Sequence, residues 1–128
     1  MPKILIVDDE EADRLLLDAV LTRAGYQTVI AGSGEDGFRA FLNEGVDVVV
    51  TDLEMPDVHG FELITILREF ATPPPVVAVS GTGSIQLHMA ESLGARWTLQ
   101  KPVDPVLLLD AVRRALDETQ RERERLSG

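Results

Sequence analysis

The chain has 128 residues, of which 45% are hydrophobic and 27% charged, and it contains no cysteine. This composition is typical of one folded domain with a sizeable core, and it excludes a disulfide framework and a thiolate metal site. The formal net charge of −10 argues against nucleic-acid binding, because that binding depends on accumulated lysine and arginine. The apolar runs are too short to cross a bilayer and the first residues lack the features of a signal peptide, so we expect a cytoplasmic protein without a membrane segment.

The chain opens with a short β-branched run and a helical pattern. Residues 3–7 are predominantly apolar, which is typical of a strand buried on both faces, and acidic residues follow directly. A helical period then extends from Ala12 to Gly25, where the glycine is expected to end the helix. One face of this predicted helix carries Leu15, Leu16, Ala19 and Val20.

The next predicted elements are a second strand, a helix and a third strand. The second strand is expected over residues 26–31, and Ser33 is a suitable N-cap for a helix that ends at Gly45. The buried stripe predicted for this helix consists of Phe38, Phe41 and Leu42. The third strand is expected over residues 46–51 and delivers Asp52 to a turn that Gly60 closes.

The second half of the chain continues the alternation. A helix is predicted after Gly60, with apolar positions at Phe61, Leu63, Ile64 and Leu67. A strand over 76–79, a helix over 84–93 and a strand over 96–100 are expected to follow. The last helix is expected to begin at Asp104-Pro105, and its predicted buried face consists of Leu108, Ala111, Val112, Ala115 and Leu116. Residues 118–128 alternate in charge. They are expected to form a solvated extension of the last helix or a tail, or alternatively a linker helix, beyond a domain over residues 1–117.

Five strands that alternate with five helices predict an α/β domain with a doubly wound, five-stranded parallel sheet. The carboxyl ends of parallel strands lie at the same edge of the sheet, where open α/β sheets bind their ligands. The polar residues at the predicted strand ends are Asp8, Asp9, Asp52, Ser80 and Lys101. Each alone has an ordinary role as a cap or a surface charge, but their shared position predicts a common site.

Charge repulsion indicates what such a site would bind. Two unit charges about 4 Å apart interact by roughly 4 kcal/mol at an effective dielectric near 20, so three carboxylates in one cleft require a cation. Lys101 supplies one positive charge, and a hard divalent ion that prefers oxygen ligands, Mg²⁺ or Mn²⁺, would supply more. A phosphoryl group would then be held with Ser80 as a hydrogen-bond donor and Asp52 as the candidate nucleophile.

The order of these motifs resembles the receiver domain of two-component response regulators, and is similar to the stand-alone chemotaxis receiver. The matching segments are Asp8-Asp9, the stretch from Asp52 to Gly60, Ser80 and Lys101-Pro102. The resemblance covers residues 3 to about 117 and implies a flavodoxin-like receiver fold. It also implies a signalling domain rather than an enzyme, whose chemistry is limited to Mg²⁺-dependent gain and loss of its own phosphoryl group.

The resemblance implies a role for each residue at the site. A sensor histidine kinase or a histidine phosphotransfer protein would transfer the phosphoryl group to Asp52, and Ser80 and Lys101 would contact its oxygens. The implied Mg²⁺ ligands are Asp9 and Asp52 directly, Asp8 through water and the backbone carbonyl of Glu54. The bond between Lys101 and Pro102 is expected to be cis.

The resemblance also implies how the signal leaves the domain. Phosphorylation would change a surface formed by the fourth helix, the fifth strand and the fifth helix, and a downstream protein target would bind that surface. A monomer or weak dimer is expected, with no contact to nucleic acid or membrane through this domain.

Two positions depart from the family pattern. The family usually carries an aromatic switch residue three positions before the lysine, where this chain has Thr98. Trp97 stands one residue earlier and is expected on the opposite face of the strand, as a packing or surface-anchor residue under a helix. Gly81 replaces the more usual alanine, and Thr82 and Glu54 are expected to line the same pocket mouth and to tune the phosphate lifetime.

Other functions compete with this interpretation. A Mg²⁺-dependent phosphohydrolase would carry a second aspartate two residues after the nucleophile, where this chain has Glu54. A constitutive adaptor would keep the fold without the switch, and Thr98 supports that alternative. A flavin carrier of similar topology is excluded by the acidic residues that follow the first strand, because its loop must bind a phosphate.

Overall fold

The fold is that of a computed structural model, which describes residues 1–55 and 60–127. The elements in chain order are β1 (Lys3–Val7), α1 (Glu11–Arg23), β2 (Gln27–Ala31), α2 (Gly34–Glu44), β3 (Val48–Asp52), α3 (Gly60–Arg68), β4 (Val76–Ser80), α4 (Ser84–Leu93), β5 (Trp97–Gln100) and α5 (Pro105–Ser127). Their order confirms the predicted alternation, with boundaries shifted by one or two residues. The predicted turn after Asp52 includes Pro56, Asp57 and His59, which lie outside the described residues.

The five strands form one parallel sheet in the order β2-β1-β3-β4-β5. Strands β1 and β3 are neighbours with Val7 opposite Thr51, so the residues that follow β1 lie beside the end of β3. Asp52 stands opposite Val79, and Ser80 stands opposite Gln100. The doubly wound parallel sheet that the sequence predicts is therefore confirmed, and its strand ends meet at one edge.

Alternate residues of the central strands face two separate helical layers. Leu5, Val7 and Val49 pack under α2, α3 and α4. Ile4 and Ile6 face the opposite layer, which α1 and α5 form. These central side chains are fully buried, as expected for strands covered on both faces.

The helix ends observed in the structure agree with the capping residues predicted from the sequence. The hydroxyl of Ser33 accepts a hydrogen bond from the N–H of Asp36 at 3.1 Å, and Gly45 ends α2 in the left-handed conformation with φ of 64°. The side chain of Asp104 accepts from the N–H of Val106 at 2.8 Å, which places Asp104 as the N-cap and Pro105 as the first helical residue of α5.

The buried face of α1 differs from the prediction. Leu17 and Leu21 are buried, whereas Leu15 and Leu16 are 50% and 51% exposed. Three consecutive leucines are compatible with several helical faces, and the docking of α1 on β1 beside α5 selected the face that contains the third of them. In α2 the prediction is likewise wrong for one residue, because Leu42 is 55% exposed while Phe38 and Phe41 pack against the core.

The last helix continues past residue 117, where the sequence predicts that the domain ends. It continues without a break from Pro105 to Ser127, so residues 118–127 extend it. Arg123 in this extension pairs with Asp47 at 2.9 Å. Among residues 1–55 and 60–127, no helix combines the length and apolar character needed to span a membrane.

Candidate functional site

Three aspartates meet where β1 and β3 end. One carboxylate oxygen from each of Asp8, Asp9 and Asp52 lies within 4.8 Å of the other two. Asp8 and Asp52 are buried, with 0% and 4% exposure, whereas Asp9 is exposed. Strand pairing explains this grouping, because Asp8 directly follows β1 and Asp52 is the last residue of the neighbouring β3.

Burial and mutual repulsion disfavour the charged forms of this cluster. Burial, followed by the charge of Asp8, raises the pKa of Asp52 from 3.8 to about 7, although Lys101 opposes the rise. Burial likewise raises the pKa of Asp8. A cation bound among the three carboxylates would relieve this cost. The all-oxygen donor set suits a hard divalent ion such as Mg²⁺, so the residues fit the expected metal.

Lys101 follows β5 and reaches across the sheet edge to three carboxylates. Its Nζ atom lies 3.2 Å from Asp8 and 3.5 Å from Asp52. Its shortest contact, 2.9 Å, is with Asp13 in the first turn of α1. Burial lowers the pKa of Lys101, but the bond to Asp13 and the charges of Asp52 and Asp8 outweigh it and raise the pKa overall. The ammonium group is therefore charged and shared.

Ser80 is fully buried at the end of β4, and its hydroxyl donates to Oε1 of Glu54 at 2.8 Å. The same oxygen accepts bonds from the N–H groups of Gly81 and Thr82, each at 3.1 Å, and from the Thr82 hydroxyl at 2.8 Å. The side chain of Glu54 thus occupies the β4 side of the site. The N–H of Glu54 points to Asp52, whose Oδ1 accepts it at 3.3 Å.

The structure brings together every residue that the strand-end argument selected, and adds two contacts that the sequence did not predict. Asp13 contacts Lys101 at 2.9 Å, and Arg14 donates to the backbone oxygen of Asp8 at 2.8 Å. The acidic run after β1 continues into the first turn of α1, and this was the sequence feature that could have predicted the contact of Asp13 with Lys101. The peptide bond between Lys101 and Pro102 is cis, as expected.

The two unusual residues of β5 face opposite layers, as alternation predicts. Trp97 packs against the cluster beneath α1 and α5, with the Arg96 guanidinium 5.5 Å from its ring centre. Thr98 points to α4, and its hydroxyl donates to Glu91 at 3.3 Å. Trp97 is therefore a packing residue, and the strand contributes a threonine to the side that faces α4.

Comparison with protein families places this chain in a known class. The response regulator receiver domain family matches residues 4–113, and the chain belongs to that family. Receiver domains are the signalling modules of two-component systems, so the resemblance stated from the motifs is confirmed.

Relatives of known name agree with this assignment. The chain is 30% identical over 122 residues to the transcriptional regulatory protein AfsQ1 of Streptomyces coelicolor, which covers 95% of this chain and 54% of that protein. It is 35% identical over 117 residues to the transcriptional regulatory protein GlrR of Escherichia coli K12, covering 91% of this chain and 26% of the relative. The chain therefore spans about half of the first relative and about a quarter of the second.

Solved structures show the same architecture. A CheY-like response regulator receiver domain protein from Methanospirillum hungatei superposes with a TM-score of 0.88 at 29% identity, covering 95% of this chain and 98% of that one. The chemotaxis response regulator CheY4 of Vibrio cholerae superposes with a TM-score of 0.82 at 28% identity, covering 91% and 99%. The whole receiver architecture is thus shared with both proteins.

Proposed function

We propose that this chain is a phosphorylation-switched receiver that accepts a phosphoryl group on Asp52 with the help of Mg²⁺. The observation that carries the proposal is the position of Asp52, which is 4% exposed, forms a cluster with Asp8 and Asp9, and lies 3.5 Å from the ammonium group of Lys101. A carboxylate in that position lies next to both a candidate cation site and an ammonium group. Both would stabilise negative charge on an incoming phosphoryl group.

The transfer step requires no reactant other than the phosphoryl donor. A carboxylate oxygen of Asp52 attacks phosphorus, a new P–O bond forms, and the bond from phosphorus to the donor breaks with its electron pair leaving on the donor atom. Lys101 and Ser80 would bind the transferred oxygens. Mg²⁺, when bound, would neutralise phosphoryl charge. Its proposed ligands are Asp9, Asp52 and the Glu54 carbonyl, with Asp8 acting through water.

The residues around Asp52 favour an acceptor over a hydrolase for external phosphate esters. A hydrolase of this kind needs an acid or base two residues after its nucleophile. Glu54 stands there, but its Oε1 is engaged by Ser80 and Thr82. Burial opposes them, but these hydrogen bonds lower the pKa of the Glu54 carboxyl group overall, so it has no proton to give to a leaving group, which supports a signalling role.

The proposed partners are a sensor histidine kinase or a histidine phosphotransfer protein upstream, and a protein target downstream. Relatives include both the regulator GlrR and the autoinducer 1 sensor kinase/phosphatase LuxN of Vibrio campbellii. The proposed target surface is formed by α4, β5 and α5. On α4, Ile85 and Met89 are 72% and 52% exposed, so apolar side chains are available there for binding a partner.

Phosphorylation by acetyl phosphate and Mg²⁺, followed by intact-mass measurement, tests the proposal. The wild-type chain should gain the mass of one phosphoryl group, and Asp52→Asn should gain none. Asp117→Asn is the matched control, because Asp117 is exposed on α5 away from the site, and it should be labelled like the wild type. An unlabelled wild type, or a labelled Asp52→Asn, would refute the assignment.

A further inference from the structure

The phosphoryl-binding donors proposed above are already occupied by a side chain of the protein. Oε1 of Glu54 accepts hydrogen bonds from the hydroxyls of Ser80 and Thr82, both at 2.8 Å. It also accepts the N–H groups of Gly81 and Thr82 at 3.1 Å. One carboxylate oxygen therefore accepts hydrogen bonds from four donors, which belong to Ser80, the last residue of β4, and to the two residues that follow it.

A carboxylate oxygen and a phosphoryl oxygen compete for such donors, because both are anionic acceptors with the same requirement for N–H and O–H groups. Ser80 has one hydroxyl hydrogen, which it donates to Glu54 in this arrangement. A phosphoryl group on Asp52 that binds Ser80 must therefore displace the carboxylate from it. The two anions would also repel one another if both remained.

The arrangement leaves one atom of Glu54 poorly satisfied. Its Oε2 is buried and has no hydrogen-bond partner among the described residues, although a buried carboxylate oxygen normally requires one. Burial raises the pKa of Glu54, but the bonds from Ser80, Thr82 and Gly81 outweigh it and lower the pKa overall. The side chain is consequently held as an anion by one oxygen only.

We propose that the Glu54 carboxylate is an internal occupant of the phosphoryl-binding donors and must leave them before phosphorylated Asp52 can be stabilised. The inference rests on the function proposed for Asp52. Glu54 thus opposes phosphorylation in the resting state. When the Glu54 carboxylate leaves, Thr82 must change its hydrogen-bond partner. Thr82 lies two residues before α4 begins at Ser84, so occupancy of the site is coupled to the start of that helix.

Three variants separate occupancy from simple charge repulsion. Glu54→Ala removes both the carboxylate and its charge. Glu54→Asp keeps the charge but shortens the side chain by one methylene, so it withdraws the acceptor from the donors of Ser80 and Thr82. Glu69→Gln is the control, because it removes one negative charge from an exposed position just after α3.

The measurement is the affinity for beryllofluoride, a phosphoryl mimic, in the presence of Mg²⁺ by titration calorimetry, with the initial rate of acetyl phosphate labelling as a second readout. Because charge-assisted hydrogen bonds no longer have to be broken, we expect Glu54→Ala and Glu54→Asp each to bind the mimic about tenfold more tightly than the wild type. Both should also be labelled faster, and Glu69→Gln should match the wild type in both measurements.

The outcomes distinguish the two proposals. If the wild type is labelled but Glu54→Ala binds beryllofluoride no more tightly, the occupancy inference is overturned while the acceptor function stands. If Glu54→Ala binds more tightly and Glu54→Asp does not, charge repulsion replaces occupancy as the explanation. If neither the wild type nor the variants are labelled on Asp52, the acceptor function itself fails.

Discussion

Three carboxylates of the site compete for the single ammonium group of Lys101. Its distances to Asp13, Asp8 and Asp52 are 2.9, 3.2 and 3.5 Å. The nearest partner is thus the one that belongs neither to the acidic cluster nor to a strand end. Asp13 is 36% exposed in its side chain, so its attraction is partly screened by solvent, yet it draws Lys101 toward α1 and away from Asp52.

Replacement of Asp13 tests this competition at the scale of one residue. Asp13→Asn removes the charge that holds Lys101 near α1, so the ammonium group should be more available to phosphoryl oxygens. We expect acetyl phosphate to label this variant about threefold faster than the wild type, as suits one partly exposed ion pair. Glu11→Gln, an exposed change in the same helical turn, should leave the rate unchanged. A slower Asp13→Asn would show that Asp13 positions Lys101 productively instead.

At the scale of elements, α3 begins in direct contact with the end of β3. A Cβ atom added to Gly60 would lie 2.2 Å from the backbone oxygen of Asp52 and 2.7 Å from the Cα of Leu53. These are backbone atoms, which cannot rotate away from the added Cβ atom as the end of a flexible side chain can. The absence of a side chain at Gly60 is therefore what allows α3 to start so close to the candidate acceptor.

Gly60→Ala should be strongly destabilising. The methyl group forces the start of α3 away from β3, and we expect the free energy of unfolding to fall by about 3 kcal/mol. Urea denaturation would measure the loss. Gly81→Ala is the control, since its added Cβ would meet Lys101 only at 3.8 Å, an ordinary contact, and it should change stability by less than about 0.5 kcal/mol. A Gly60→Ala protein as stable as the wild type would exclude this close packing.

At the scale of the whole molecule, the fold concentrates negative charge that it does not neutralise by itself. The net charge is −10, and two of the acidic side chains, Asp8 and Asp52, are buried at the same sheet edge. The parallel sheet gathers these residues because their strands are neighbours. A cost in stability is the physical consequence of preparing a cation site before the cation binds.

The pH dependence of stability should reveal that cost. Folding raises the pKa of Asp52 from 3.8 to about 7, so between these values the folded protein keeps a proton that the unfolded chain has released. Without metal, this residue therefore lowers the free energy of unfolding as the pH rises from about 4 to about 7. Asp52→Asn should be about 2 kcal/mol more stable than the wild type at pH 8, and the difference should shrink toward pH 4.

Urea denaturation at several pH values, with and without Mg²⁺, would measure this effect. Mg²⁺ should stabilise the wild type at pH 8 and have a much smaller effect on Asp52→Asn, because one proposed ligand is lost. Asp117→Asn should follow the wild type throughout. A difference between wild type and Asp52→Asn that does not vary with pH would contradict a raised pKa for Asp52.

The proximity of the site residues was predicted from the sequence by one property, the shared carboxyl edge of parallel strands. Asp8, Asp9, Asp52, Ser80 and Lys101 are close because any parallel sheet with these strands brings their ends to one edge. The sequence predicted that Glu54 and Thr82 line one pocket mouth, but it did not predict the hydrogen bonds of the Glu54 carboxylate or the contact of Asp13 with Lys101. Both depend on how a helix is rotated or how a loop is directed, and residue spacing does not specify either.

The sequence by itself determined the class of fold, the order of its elements and the edge at which the chemistry would lie, because apolar periodicity and chain-end signals act locally. Tertiary packing alone decided which leucines of α1 are buried, since three adjacent ones were equally hydrophobic. It also decided that Glu54 holds the donors of Ser80 and Thr82 and that Asp13 holds Lys101. These contacts join segments distant in the chain, and their geometry follows only from the assembled sheet and helices.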